Sequence, residues 1–196
     1  LKHFPGNTNT DPHTGLPELN VDCRQLENEL IAPFKELLPL ASGVLMSHAR
    51  ISVHGEQSSQ YSFTGNESQI PSCLSYFWVT KVIREKFKFN GLIFSDDIFM
   101  GALADNGFPP DVACIRAIES GIDVIMLSEK KFGDVAKIIF EKSKQSPDFN
   151  QKIHESLRRV IEFKIKAGLL DLIEITSDMS GKKLKEPYYF VTVSEV

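Results

Sequence analysis

The sequence predicts an α/β fold built on a parallel sheet. Short, mostly apolar runs at 44–46, 92–94 and 122–127 alternate with longer stretches of helical periodicity. Such runs suit strands buried on both faces, as helices packed on a parallel sheet require. Each run also ends in polar side chains: Ser47-His48, Ser95-Asp96-Asp97 and Ser128-Glu129. In parallel α/β folds the carboxyl ends of the strands are where sites are built.

Taken in order, the first 20 residues carry turn chemistry: Pro5-Gly6, Asn7, Asn9, Asp11-Pro12 and Gly15. They read as a long loop. Leu26, Leu30, Ile31, Phe34, Leu37 and Leu38 recur at helical steps, and Gly43 closes that helix before the run at 44–46. Residues 52–68 are dominated by polar side chains and read as a surface loop. Leu74, Phe77, Trp78, Val82 and Phe89 trace a second helix. Asn90-Gly91 is expected to end it, since both residues tolerate the left-handed conformation of a helix end. A helix over 112–120 stops at Gly121, and further helices cover 132–144 and 149–168. Beyond Leu170 the pattern is weaker, with 187–193 read as a strand.

The chain has 196 residues, 42% hydrophobic and 24% charged, with a formal charge of −4. These are ordinary globular values and argue against disorder, collagen and coiled coil. The acidic balance argues against a nucleic-acid partner, which calls for a basic surface. Apolar stretches fall far short of the ~20 residues of a membrane span. No signal-peptide pattern is read. Cys23, Cys73 and Cys114 form no CxxC pair, and their odd number speaks against a disulfide framework, so they are expected as free thiols.

Four places could carry chemistry. Asp11 and His13 lie two residues apart, so in an extended stretch their side chains share a side. A carboxylate beside an imidazole raises its pKa and orients it, giving a proton shuttle near neutral pH; the competing reading is an exposed polar loop. Asp96 and Asp97 follow an apolar strand. A carboxylate there can attack a sugar carbon, or can cap the next helix. Lys2 and His3 could donate to sugar hydroxyls, or could be solvated terminal residues. His48 could line the same mouth or serve the core, and Met100 follows the Asp pair as a further candidate lining residue. A metal site from His3, Asp11 and His13 is possible by ligand type, but the loose spacing speaks against it, and no metal or other cofactor is expected.

Lys2-His3-Phe4-Pro5-Gly6, followed by Asp11-Pro12-His13-Thr14-Gly15-Leu16-Pro17, resembles the signature of family 3 glycoside hydrolases, in particular the bacterial β-N-acetylglucosaminidases. Gly91-Leu92-Ile93-Phe94-Ser95-Asp96-Asp97-Ile98-Phe99-Met100-Gly101-Ala102 is similar to the nucleophile segment of that family. Leu45-Met46-Ser47-His48, Pro71-Ser72-Cys73-Leu74-Ser75 and Ala117-Ile118-Glu119-Ser120-Gly121-Ile122-Asp123 fall between and after them in family-like order.

The resemblance implies Asp96 as nucleophile, His13 as general acid/base with Asp11 as its partner, and Lys2 and His3 as ligands of the N-acetylglucosamine ring. It implies a retaining β-N-acetylhexosaminidase that forms a covalent glycosyl-enzyme and releases β-linked N-acetylglucosamine from peptidoglycan-derived fragments in cytoplasmic cell-wall recycling. Phosphate in place of water as acceptor is a variant of the same chemistry. Departures from the pattern are a missing His-Gly after Phe-Pro-Gly, a shortened spacer to Asp11, and Pro12 where the family has Ser.

The fold implied is a parallel (β/α)₈ TIM-like barrel. Such a barrel takes on the order of 250 residues, and this chain matches its later half. Residues 1–170 are therefore expected to form part of the catalytic barrel, and 171–196 a C-terminal tail with a short strand. Uncovered sheet edges should follow. The missing N-terminal half could belong to a longer or cleaved protein or to another chain, which would then be a partner, or the chain could be a degenerate relic. The rival function is a non-catalytic half-barrel that binds a sugar or a partner without turnover.

Overall fold

The structure is a computed structural model that describes residues 1–8, 15–54, 61, 65–128, 130–177 and 183–193. Its strands are β1 (Glu18–Asp22), β2 (Gly43–Leu45), β3 (Arg50–His54), β4 (Leu92–Asp97), β5 (Val124–Met126), β6 (Leu170–Ser177) and β7 (Lys183–Val193). β2, β4 and β5 form a parallel sheet in that order, and β1 pairs with β3 in a second parallel sheet. Residues 1–4 extend the first sheet beyond β2. Leu45 N–H donates to Leu1 O, Phe4 N–H to Leu45 O and Ser47 N–H to Phe4 O, at 2.9, 2.9 and 2.8 Å, and Phe4 bridges Met46 in parallel.

The α/β class with parallel strands is as predicted. Several elements differ from the sequence reading. Part of the expected N-terminal loop pairs with β2, and another part is β1. The expected polar loop begins with β3, where Ile51 and Val53 alternate with Arg50, Ser52 and His54; its period-two signal is short and was outweighed by the polar residues around it. A short helix, α3 (Gly101–Asp105), follows the Asp pair.

The first helical region runs as α1 (Cys23–Gln25), a π-helical stretch (Leu26–Ile31) and α2 (Ala32–Leu37). Asp22 starts it: its side chain accepts from Gln25 N–H, and the Gln25 side chain accepts from Asp22 N–H. The second, Phe77–Lys86, is also π-helical and ends before the expected Asn90-Gly91. Lys88 takes the positive φ of 53°. Gly91 is needed for a different reason. A Cβ there would lie 2.4 Å from the Phe89 ring and 2.5 Å from Ser42 O.

Helix α4 (Pro110–Ser120) starts with proline in its first turn and ends at Gly121 with φ +104°; both placements relieve terminal backbone groups. Helices α5 (Phe132–Gln145) and α6 (Pro147–Lys166) follow, the latter capped by Ser146, whose hydroxyl accepts from Phe149 N–H. No helix among the described residues is long and apolar enough to cross a membrane. Past α6, β6 and β7 form an antiparallel hairpin from Leu170↔Val193 onward, so the expected strand at 187–193 is one arm of a ribbon.

The core lies between the sheet and its helices. Phe4, fully buried, meets the edges of Phe34, Trp78 and Phe87 at centroid distances of 5.0, 6.2 and 6.3 Å. Val44, Ile93 and Ser95 are fully buried on the helix-covered face. Leu45 and Phe94, register partners on the opposite face, stay half-buried. Strand alternation puts Asp96 on that less covered face with Phe94. Cys73 and Cys114 are buried and Cys23 is partly exposed.

Candidate active site

The carboxyl end of β4 carries the site, and its two aspartates have different work. Asp97 points into the backbone around it. Its Oδ1 accepts the N–H of Phe99 at 3.0 Å and that of Ser128 at 3.1 Å. It therefore closes the turn after β4 and ties it to the segment after β5. Ser95 adds a second tie on the same face, its hydroxyl accepting Met126 N–H at 3.0 Å.

Asp96 is spared that role. Among the described residues its Oδ1 accepts the N–H of Asp97, at 2.9 Å, and its Oδ2 faces His3 Nε2 at 4.0 Å. The Asp96 side chain is 16% exposed and the His3 side chain 30%. His3 reaches this position because residues 1–4 pair with β2, which in turn pairs with β4 in register Leu45↔Phe94. A carboxylate at a strand mouth with an imidazole beside it can act as a nucleophile or an electrostatic stabiliser.

His48 lies beneath this mouth, 2% exposed. Its Nε2 is 3.0 Å from Asp97 O and its Nδ1 is 3.1 Å from Cys73 Sγ. Burial pushes its pKa below the ordinary 6.5; the Asp96 charge opposes this and His3 adds to it. The Cys73 thiol is pushed up by burial and by the Asp96 charge, so it keeps its proton.

Of the residues singled out in the sequence, the structure brings together Asp96, His3 and, from below, His48. Lys2 is exposed beside His3. Met100 is half-buried and joins the same turn through its backbone, its N–H donating to Asp97 O at 3.2 Å. Asp11 and His13 lie outside the described residues, and the metal set that would have used both with His3 lies outside them too. Sequence reasoning missed Cys73, treated only as an inert thiol. Its position in Pro71-Ser72-Cys73-Leu74 gives no spacing signal toward His48; only the fold brings the two together.

The profile of the Glycosyl hydrolase family 3 N terminal domain matches residues 1–163. A beta-hexosaminidase from Tolumonas auensis is 32% identical over 138 residues, covering 69% of this chain and 37% of that protein. One from Methylococcus capsulatus is 35% identical over 130 residues, covering 64% and 34%. Among solved structures, CbsA from Thermotoga neapolitana aligns with a TM-score of 0.69 and 26% identity over 84% of this chain and 36% of its own. The beta-N-acetylglucosaminidase from Thermotoga maritima aligns at 0.66 and 21% over 90% and 40%, a likeness of fold. The chain thus spans little more than a third of the length of these curated relatives.

Proposed function

The chain belongs to glycosyl hydrolase family 3, and we propose that it carries the nucleophile and sugar-binding side of a retaining β-N-acetylhexosaminidase site. Asp96 is the nucleophile. Its Oδ2 attacks the anomeric carbon and forms a glycosyl-enzyme, and a general acid protonates the leaving oxygen. His13, oriented by Asp11, is that acid and later activates water. Lys2 and His3 hold the N-acetylglucosamine ring. The observation that carries the reading is the division of labour at the end of β4: Asp97 is consumed by backbone N–H groups, while Asp96 Oδ2 faces His3 and accepts no hydrogen bond among the described residues. The names of the curated relatives support the choice of sugar.

Within the same proposal, residues 1–170 are the later half of a catalytic barrel and 171–196 a C-terminal extension. The substrate is a β-linked N-acetylglucosaminide from peptidoglycan fragments, processed in the cytoplasm. The other half of the barrel comes from outside this sequence.

A second reading is a half-barrel that binds sugar or a partner without turnover. The less covered face holding Leu45 and Phe94, and the shallow apolar groove of about 650 Å³ between β5, α5 and α6, favour it. Hydrolysis of p-nitrophenyl N-acetyl-β-D-glucosaminide by the 196-residue chain, with trapping of a fluorosugar on Asp96 detected by peptide mass, decides between them. Turnover and a label on Asp96 uphold the first reading. Saturable sugar binding with neither upholds the second.

A further inference from the structure

We infer that Cys73, His48 and Asp97 form a chain of hydrogen bonds that positions the Asp96 carboxylate, with His48 as a positioning residue fixed in one tautomer. This rests on the reading of Asp96 as nucleophile.

The argument starts from donor and acceptor inventory. Asp97 O can only accept, so His48 Nε2, at 3.0 Å, must carry the proton. In a neutral imidazole Nδ1 is then the acceptor, and the group facing it at 3.1 Å, Cys73 Sγ–H, is the donor. Cys73 is fully buried and its N–H also donates to Ser47 O at 2.9 Å, which ties its short turn to the end of β2. Both ring nitrogens of His48 are therefore engaged, and neither is left for substrate.

The chain continues through Asp97. Its carbonyl accepts from His48, its N–H donates to Asp96 Oδ1 at 2.9 Å, and its own carboxylate accepts from Phe99 and Ser128. Asp97 cannot rotate without breaking its contacts to His48, Phe99 and Ser128. Its N–H thus fixes Oδ1 of Asp96 and leaves Oδ2 toward His3. The titratable groups facing His48 are Asp96 and Asp97 from β4, His3 from the N-terminal segment paired with β2 and Cys73 from the turn at 72–74. Burial keeps the ring neutral against the two carboxylates, which is the state the relay requires.

The test compares His48→Leu, which removes both bonds, with His48→Gln, whose amide N–H can reach Asp97 O. On p-nitrophenyl N-acetyl-β-D-glucosaminide, Leu is expected to lower kcat about 10- to 100-fold, the scale of residues that orient a reacting group, with KM within about twofold. Gln should recover at least about tenfold of that loss. Equal loss in both variants, or wild-type kcat in Leu, overturns the inference. Two NMR readouts on the full chain do not depend on turnover. The ¹⁵N spectrum of His48 should show a protonated Nε2 and a bare Nδ1 at neutral pH, retained in Cys73→Ser. The ¹³C carboxyl signal of Asp96 should move in Leu and stay in Gln. A protonated Nδ1, or an Asp96 signal indifferent to both substitutions, overturns the relay. A wild-type chain that shows these spectra but no hydrolysis refutes the functional reading and leaves the relay standing. Should Leu fail to fold, Cys73→Ala replaces it: loss of the Sγ–H donor must shift the His48 Nδ1 signal, and no shift overturns the pairing.

Discussion

Asp97 Oδ1 accepts the backbone N–H of Ser128 at 3.1 Å, so the second aspartate of the Asp-Asp pair joins the ends of β4 and β5. Among the described residues the first aspartate, one residue earlier, meets its neighbour's N–H and His3. Adjacent residues of identical type thereby hold separate roles, set by the partners each meets at the end of β4.

Substitution should separate those roles. Asp96→Ala is expected to cut kcat by about 10⁶-fold, the scale of losing a nucleophile, while costing less unfolding stability than Asp97→Ala. Asp97→Ala leaves two N–H groups without their acceptor and should destabilise by about 1–3 kcal/mol. Urea unfolding together with glycoside hydrolysis measures both, and the opposite pattern would reassign the nucleophile.

His48 makes stability depend on pH. Its folded-state pKa lies below 6.5, chiefly through burial, so between the folded and unfolded values the unfolded chain binds more protons. Stability is then full above pH 6.5 and falls as pH drops below it toward the folded value. His48→Gln should flatten this part of the profile. Thermal unfolding of both proteins from pH 8 to pH 5 reads the difference.

At the opposite end of the strands, Asp123 has a fully buried side chain that pairs with Arg84 and with Arg159, the latter at 2.6 Å, and accepts Ile93 N–H at 2.8 Å. Asp123→Ala strands two arginines in a partly buried setting and should cost about 3–5 kcal/mol. Denaturant unfolding checks the size, and a loss below about 1 kcal/mol would show the cluster to be solvated.

Gly121→Ala tests the end of α4. The φ of +104° is unfavourable for any Cβ, and the added atom would sit 2.7 Å from Thr80 Oγ1, which is itself held by donation to Ser120 O. A loss of about 1–3 kcal/mol is expected, read as a lowered urea midpoint at unchanged slope.

A good part of the fold was legible before the structure. The apolar runs at 44–46, 92–94 and 122–127 lie on β2, β4 and β5, because strands covered by helices tolerate little but apolar side chains. Period 3.6 located the longer helices, with Gly121 marking an end that local chemistry alone dictates. What stayed hidden was non-local. The strand character of residues 1–4 exists only through hydrogen bonds to β2, and β3 only through β1.

By itself, then, the sequence determined the alternation of strand and helix, and with it the placing of Asp96 at a strand's carboxyl end. The tertiary structure alone decided that Asp97 is spent on Phe99 and Ser128, that His3 stands 4.0 Å from Asp96, and that Cys73 meets His48 across a separation of 25 residues. The reason is physical. Local periodicity follows from the geometry of one segment, whereas a hydrogen-bond partner is fixed only when distant segments pack and lose water together.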